Sequence, residues 1–114
     1  MVDEARAKEL LEAERERIER QLRELGPGPD DTLAHGDQHL AEEATELYED
    51  EYEAGLAARL RAELEAVERA EERLAQGRYG RSIESGEPIP DGRLEAVPTA
   101  ERTAEEQERF EHGR

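Results

Sequence analysis

The sequence predicts a mainly α chain: an antiparallel helical hairpin of the coiled-coil kind carrying a small C-terminal lobe. Three observations point there. Apolar residues recur at heptad spacing through two long segments, a Gly/Pro run breaks the chain between them, and Gly77 closes the second segment ahead of a short, turn-rich remainder. Charged residues make up 42% of the chain and aromatics 4%, too little apolar bulk for a thick globular core. Disordered chains and solvated helical hairpins share that composition, and the periodicity decides for helices.

The first helix is expected over 3–25. Leu11, Ile18 and Leu25 repeat every seven residues, Leu22 fills the adjacent stripe, and Glu and Arg occupy the other faces. This is a narrow seam, supported by Glu16/Arg20 and Glu19/Arg23 at i,i+4. Gly26-Pro27-Gly28-Pro29-Asp30-Asp31 ends it, because proline removes a backbone donor and glycine loosens the chain. The tip loop is placed at 26–37. A second helix follows over 38–76, with Leu40, Ala44, Leu47, Leu56, Leu60, Leu64, Val67 and Leu74 along one stripe. It would be near ~58 Å long against ~35 Å for the first, so the first helix covers only part of it. Residues 1–76 thus form the hairpin and 77–114 the lobe. The lobe's apolar residues are few (Tyr79, Ile83, Ile89, Leu94, Val97 and Phe110), so it needs a neighbouring surface, and the long helix is that surface. A last helix is expected over 103–111.

The lobe carries the most specific pattern. Ser82 and Ser85 have two residues between them, as do Thr103 and Glu106, and seventeen residues separate the pairs. With Cys at all four positions the spacing would be C-x2-C-x17-C-x2-C, within the range of a tetrahedral zinc site. Tyr79-Gly80-Arg81-Ser82, Gly86-Glu87-Pro88-Ile89-Pro90 and Arg93-Leu94-Glu95-Ala96-Val97-Pro98-Thr99-Ala100 surround those positions. Together they resemble the C-terminal finger of the DksA/TraR family of bacterial transcription regulators, a C4-type zinc-finger family. The resemblance implies zinc at Ser82, Ser85, Thr103 and Glu106, yet the chain has no cysteine. No metal and no cofactor are expected here. Thr103-Ala104-Glu105-Glu106 instead reads as a capping box at the start of the last helix. Ser82 and Ser85 are suited to holding a turn, and Arg81 or Arg102 to pairing with Glu84 or Glu106.

A second resemblance lies at the hairpin tip. From Asp37 to Gly55 there are eight acids and neither Lys nor Arg. Asp37 and His39 match a branch of the same family whose tip reads DNHPAD, and Glu42 stands at its second Asp. Against the shorter D-x-x-D-x-A tip, the matching positions are His39, Glu42 and Ala44. The resemblance implies a partner-binding tip of Asp37, His39, Glu42, Glu43 and Ala44 that enters the secondary channel of RNA polymerase. A rival reading of the same stretch is a metal sensor built on His35, Asp37, His39 and Glu43, with His39 and Glu43 one helical turn apart.

Charge and composition limit the remaining classes. A net charge of −16 argues against direct nucleic-acid contact, since phosphate binding needs Lys and Arg to displace counterions. No stretch reaches the ~18–20 apolar residues of a membrane span, and the charged start lacks a signal-peptide core, so a cytoplasmic protein is expected. There is no glycine-rich phosphate loop, no G-x-S-x-G and no thiol, and no enzyme is expected. The leading expectation is a monomeric, polymerase-binding regulator. The alternative is a helical adaptor or self-associating interaction protein that has lost polymerase binding, with the seam of Leu56, Leu60, Leu64 and Val67 facing another copy.

Overall fold

The computed structural model describes residues 2–25 and 43–113, the side chains of 43–50 excepted. Four helices run in order: α1 (Glu4–Glu24), α2 (Glu43–Ala75), α3 (Asp91–Ala96) and α4 (Ala104–His112). Among the described residues there is no strand, only an isolated antiparallel bridge between Arg81 and Pro88. The expected mainly helical class holds. The expected onset of the second helix near Gln38 lies outside the described residues.

Local chemistry accounts for the helix ends. Asp3 caps α1, its Oδ1 accepting the Arg6 N–H at 2.8 Å while its carbonyl accepts the Ala7 N–H at 2.8 Å. At the end of α2 the Arg78 N–H bonds to the Arg73 carbonyl at 2.8 Å and the Gly77 N–H to the Leu74 carbonyl at 3.1 Å. That pair of bonds is the Schellman motif, and it requires the left-handed backbone that Gly77 adopts at φ 75°. The chain therefore leaves α2 sharply at Gly77 and turns into the lobe.

The chain divides into two compact units, one of residues 1–15 with 65–114 and one of residues 16–64. In the first, Ala7 and Leu11 of α1 and Ala70 of α2 share one core with Tyr79, Ile89, Leu94 and Ala100, and Val2 and Leu74 pack against it. Arg15 reaches Glu71 at 2.8 Å, which ties α1 to the second half of α2 within this unit. The lobe's core is thus built partly from helix residues, which is how so few apolar side chains suffice. Each buried Leu or Ile contributes ~1.5–3 kcal/mol of transfer free energy, and a free-standing lobe would supply only Tyr79, Ile89, Leu94 and the small Ala100 to this core. In the second unit Ile18, Ala57 and Leu60 are buried, and Arg17 pairs with Glu63 at 3.4 Å.

Not every apolar residue of the chain is used in packing. Of the lobe's six larger apolar residues, Ile83, Val97 and Phe110 are exposed. Ile83 sits in a turn whose backbone is tied down, so its side chain points outward, and Phe110 lies on the outer stretch of α4. Of the seam Leu56, Leu60, Leu64 and Val67, Leu60 and Val67 are fully buried within their own chain, while Leu56 and Leu64 are half-buried.

Candidate functional site: a knuckle without metal

Residues 80–89 form a tight hairpin-like turn. The Ile89 N–H bonds to the Gly80 carbonyl at 2.8 Å, the Ser82 N–H to the Glu87 carbonyl at 2.8 Å, and the Gly86 N–H to the Ser82 carbonyl at 3.0 Å. Gly86 takes φ 78°, a conformation that side chains resist. The serine hydroxyls lock the inside of the turn. Ser82 Oγ accepts the N–H groups of Glu84 (3.0 Å) and Ser85 (3.2 Å), and Ser85 Oγ accepts that of Glu87 (3.2 Å).

The structure brings Ser82, Ser85, Thr103 and Glu106 together. Ser82 Oγ donates to Glu106 Oε1 at 2.5 Å and Ser85 Oγ donates to Glu106 Oε2 at 2.6 Å. The Thr103 N–H donates to Glu106 Oε1 at 2.9 Å, and Thr103 Oγ1 accepts the Glu106 N–H at 3.2 Å. The last two bonds complete the capping box of α4. Glu106 is only 6% exposed and Ser82 is buried with it. Hydrogen bonds from Ser82, then Ser85, then the Thr103 backbone hold the Glu106 carboxyl well below its ordinary range, at about 2.

A ring of contacts fixes this corner to the rest of its unit. The Ile83 N–H bonds to the Glu101 carbonyl at 2.9 Å, and Arg93 Nε donates to the Arg102 carbonyl at 2.8 Å. Arg102 pairs with Glu84 at 2.7 Å and lies over the Phe110 ring, 3.8 Å from its centroid. Arg81 does not take part in such a pair; it donates to the Gly86 carbonyl at 3.1 Å. Tyr79, whose hydroxyl donates to the Pro98 carbonyl at 2.7 Å, has its pKa raised by burial.

Two ion-pair groups were not visible in the sequence. Glu101 Oε2 accepts from Arg69 Nε and Arg73 Nη1, both at 2.9 Å. Burial pushes the Glu101 carboxyl up, but the bonds from Arg69 and Arg73 outweigh it and the net shift is downward. Arg73 is itself largely buried, and its Nε and Nη2 find no acceptor among the described residues. Arg6 grips Glu95 with two bonds, at 2.6 and 3.0 Å, and lowers that carboxyl's pKa. The only sequence signal was the one-turn spacing of Arg69 and Arg73; their partner lies 28 to 32 residues on, and 89 residues separate Arg6 from Glu95.

The residue chemistry does not fit zinc. A tetrahedral site uses thiolate, imidazole or carboxylate donors, whereas three of these four side chains are neutral hydroxyls and the one carboxylate is already occupied on both oxygens. Among the described residues no three His, Cys, Asp or Glu side chains are grouped to hold a metal. Of the tip residues, Asp37, His39 and Glu42 lie outside the described residues, as does His35. Glu43 and Ala44 fall in the first turn of α2, where only the backbone is described. No described helix is long and apolar enough to cross a membrane.

Known proteins match both the lobe and the longer chain. The sequence model of the "Prokaryotic dksA/traR C4-type zinc finger" family matches residues 77–112. The "RNA polymerase-binding transcription factor DksA" of Caulobacter vibrioides is 37% identical over 105 residues, covering 91% of this chain and 72% of that protein. The "Uncharacterized protein YteA" of Bacillus subtilis is 41% identical over 73 residues, 64% of this chain, and the match spans only 30% of that relative's length. The solved structure of transcription factor DksA2 from Pseudomonas aeruginosa superposes with a TM-score of 0.51 at 32% identity, covering 96% of this chain and 78% of that one.

Proposed function

The chain belongs to the DksA/TraR family of transcription regulators, and on that premise we propose that it controls transcription by binding RNA polymerase, with the hairpin tip entering the secondary channel. One observation carries this reading. The similarity to a relative named for RNA polymerase binding extends over 91% of the chain, so it includes the helical arm as well as the lobe. A net charge of −16 favours a protein surface with basic patches over a nucleic-acid backbone, and it steers encounter with such a surface. In this reading Asp37, His39, Glu42, Glu43 and Ala44 form the contact at the tip, the lobe rests on the channel's rim, and no DNA is touched. The protein acts in the cytoplasm, as a monomer, without catalysis and without a zinc ion. Burial of Leu60 and Val67 within their own chain supports the monomer over the self-associating adaptor.

A photo-cross-linker at position 42, mixed with the host polymerase, is expected to label the subunit that lines the secondary channel. In vitro transcription with Asp37→Ala plus Glu42→Ala is expected to lose the regulatory effect while the variant still competes with wild type for polymerase. Labelling of other proteins only, or unchanged regulation by the double variant, would sink the reading.

A further inference from the structure

We propose that the Glu106 carboxylate is this chain's physical replacement for the finger's metal ion: an anion at the centre of the knuckle, held by neutral donors, does what a cation held by anionic ligands does elsewhere. A zinc knuckle places electron-pair donors around a positive centre. Here the polarity is inverted. Two hydroxyls and one backbone N–H, from Ser82, Ser85 and Thr103, all point their hydrogens at one carboxylate. The distances of 2.5 and 2.6 Å to the two hydroxyls are those of charge-assisted O–H···O⁻ bonds. The position of the carboxylate, in the first turn of α4, also suits a negative charge.

Capping alone does not explain this arrangement. The capping box needs only Thr103 and Glu106, and its two bonds leave Oε2 free. Ser82 and Ser85 come from 24 and 21 residues away, and they reach Oε1 and Oε2 respectively. Each hydroxyl has a second task, accepting backbone N–H groups of its own turn. The carboxylate therefore connects two segments that a metal would otherwise join, the 82–87 turn and the head of α4. The lobe's fold is then indifferent to zinc and to chelators. The inference concerns the lobe alone and stands whether or not the chain binds polymerase.

The test uses the full-length protein, with metal content measured by elemental analysis and the lobe followed by amide hydrogen exchange at Glu84, Ser85, Glu87 and Thr103. Wild type is expected to carry no stoichiometric zinc and to show the same protection in excess EDTA and in equimolar zinc. Glu106→Gln keeps a side chain competent for the capping box but loses the charge and replaces one acceptor with a donor. It is expected to expose the 84–87 amides and to lower the unfolding temperature by ~4 °C or more. Thr103→Ala removes a cap and keeps the latch, so those amides stay protected. Ser85→Ala, a milder change, is expected to fall between the two. Replacing all four positions with Cys is expected to create a site for one zinc per chain and make the lobe sensitive to EDTA. Zinc bound stoichiometrically to wild type, EDTA-induced loss of its protection, or an 84–87 segment unmoved by Glu106→Gln would each overturn the proposal.

Discussion

At Glu106 the donors around the carboxyl set a pH dependence whose sign is fixed. Its folded value, about 2, lies below the ordinary 4.5, so the unfolded chain binds the proton more readily. The stabilisation is complete above pH ~4.5, declines as pH falls through the interval between the two values, and is gone once the folded group protonates. Glu95 and Glu101 shift in the same direction, through Arg6 for the first and, against burial, through Arg69 and Arg73 for the second. An acid titration of stability is expected to be flat from neutrality to about pH 5 and to fall below it, and Glu106→Gln is expected to flatten the descent. Removing Glu101 tests a different residue. Glu101→Ala removes the carboxylate that pairs with the buried Arg73 guanidinium, and an uncompensated buried charge costs ~3–5 kcal/mol when fully enclosed. Because Arg69 is exposed and water can reach the site, a loss of about 2 kcal/mol in denaturant unfolding is expected.

Elements were legible in the sequence where one local rule decided them. Heptad spacing located α1 and the described part of α2, Gly77 marked the end of α2, and Thr103 with Glu106 marked the start of α4. Helix α3 was missed because six residues entered from Pro90 carry no heptad, and only Leu94 is buried. The convergence of Ser82 and Ser85 on Glu106 could be suspected only through spacing shared with a metal site, since hydroxyls and a carboxylate carry no signature of their own. Long-range pairs such as Arg6 with Glu95 are invisible in principle, because charged residues abound and nothing local selects among them. The turn at Gly77 gives a clean test of one such rule. A Cβ there would meet nothing within 4 Å, so Gly77→Ala is penalised by its left-handed backbone alone. A loss of about 1 kcal/mol in thermal or denaturant unfolding is expected, with no change in secondary structure.

Across the whole molecule, charge opposes the fold more than it supports it. The exposed ion pairs contribute ~0–1 kcal/mol each and weaken in salt. A net charge of −16 on 114 residues produces mutual repulsion that salt also weakens, and by sheer excess of like charge the second effect wins. The unfolding temperature is therefore expected to rise as sodium chloride is raised from low millimolar to about 0.5 M, where the Debye length has shrunk to a few ångströms. A fall over that range would mean that the ion pairs dominate instead.

The shared core of the first unit also sets a timetable for synthesis. Ala7 and Leu11 pack with Leu94 and Ala100, side chains that emerge from the ribosome roughly eighty residues later. At ~5–20 residues per second, the amino-terminal turns wait several seconds for the surfaces that will hide them. Ala70, Leu74, Tyr79 and Ile89 reach that core first, and a product cut short before Leu94 leaves it without the side chains of Leu94 and Ala100.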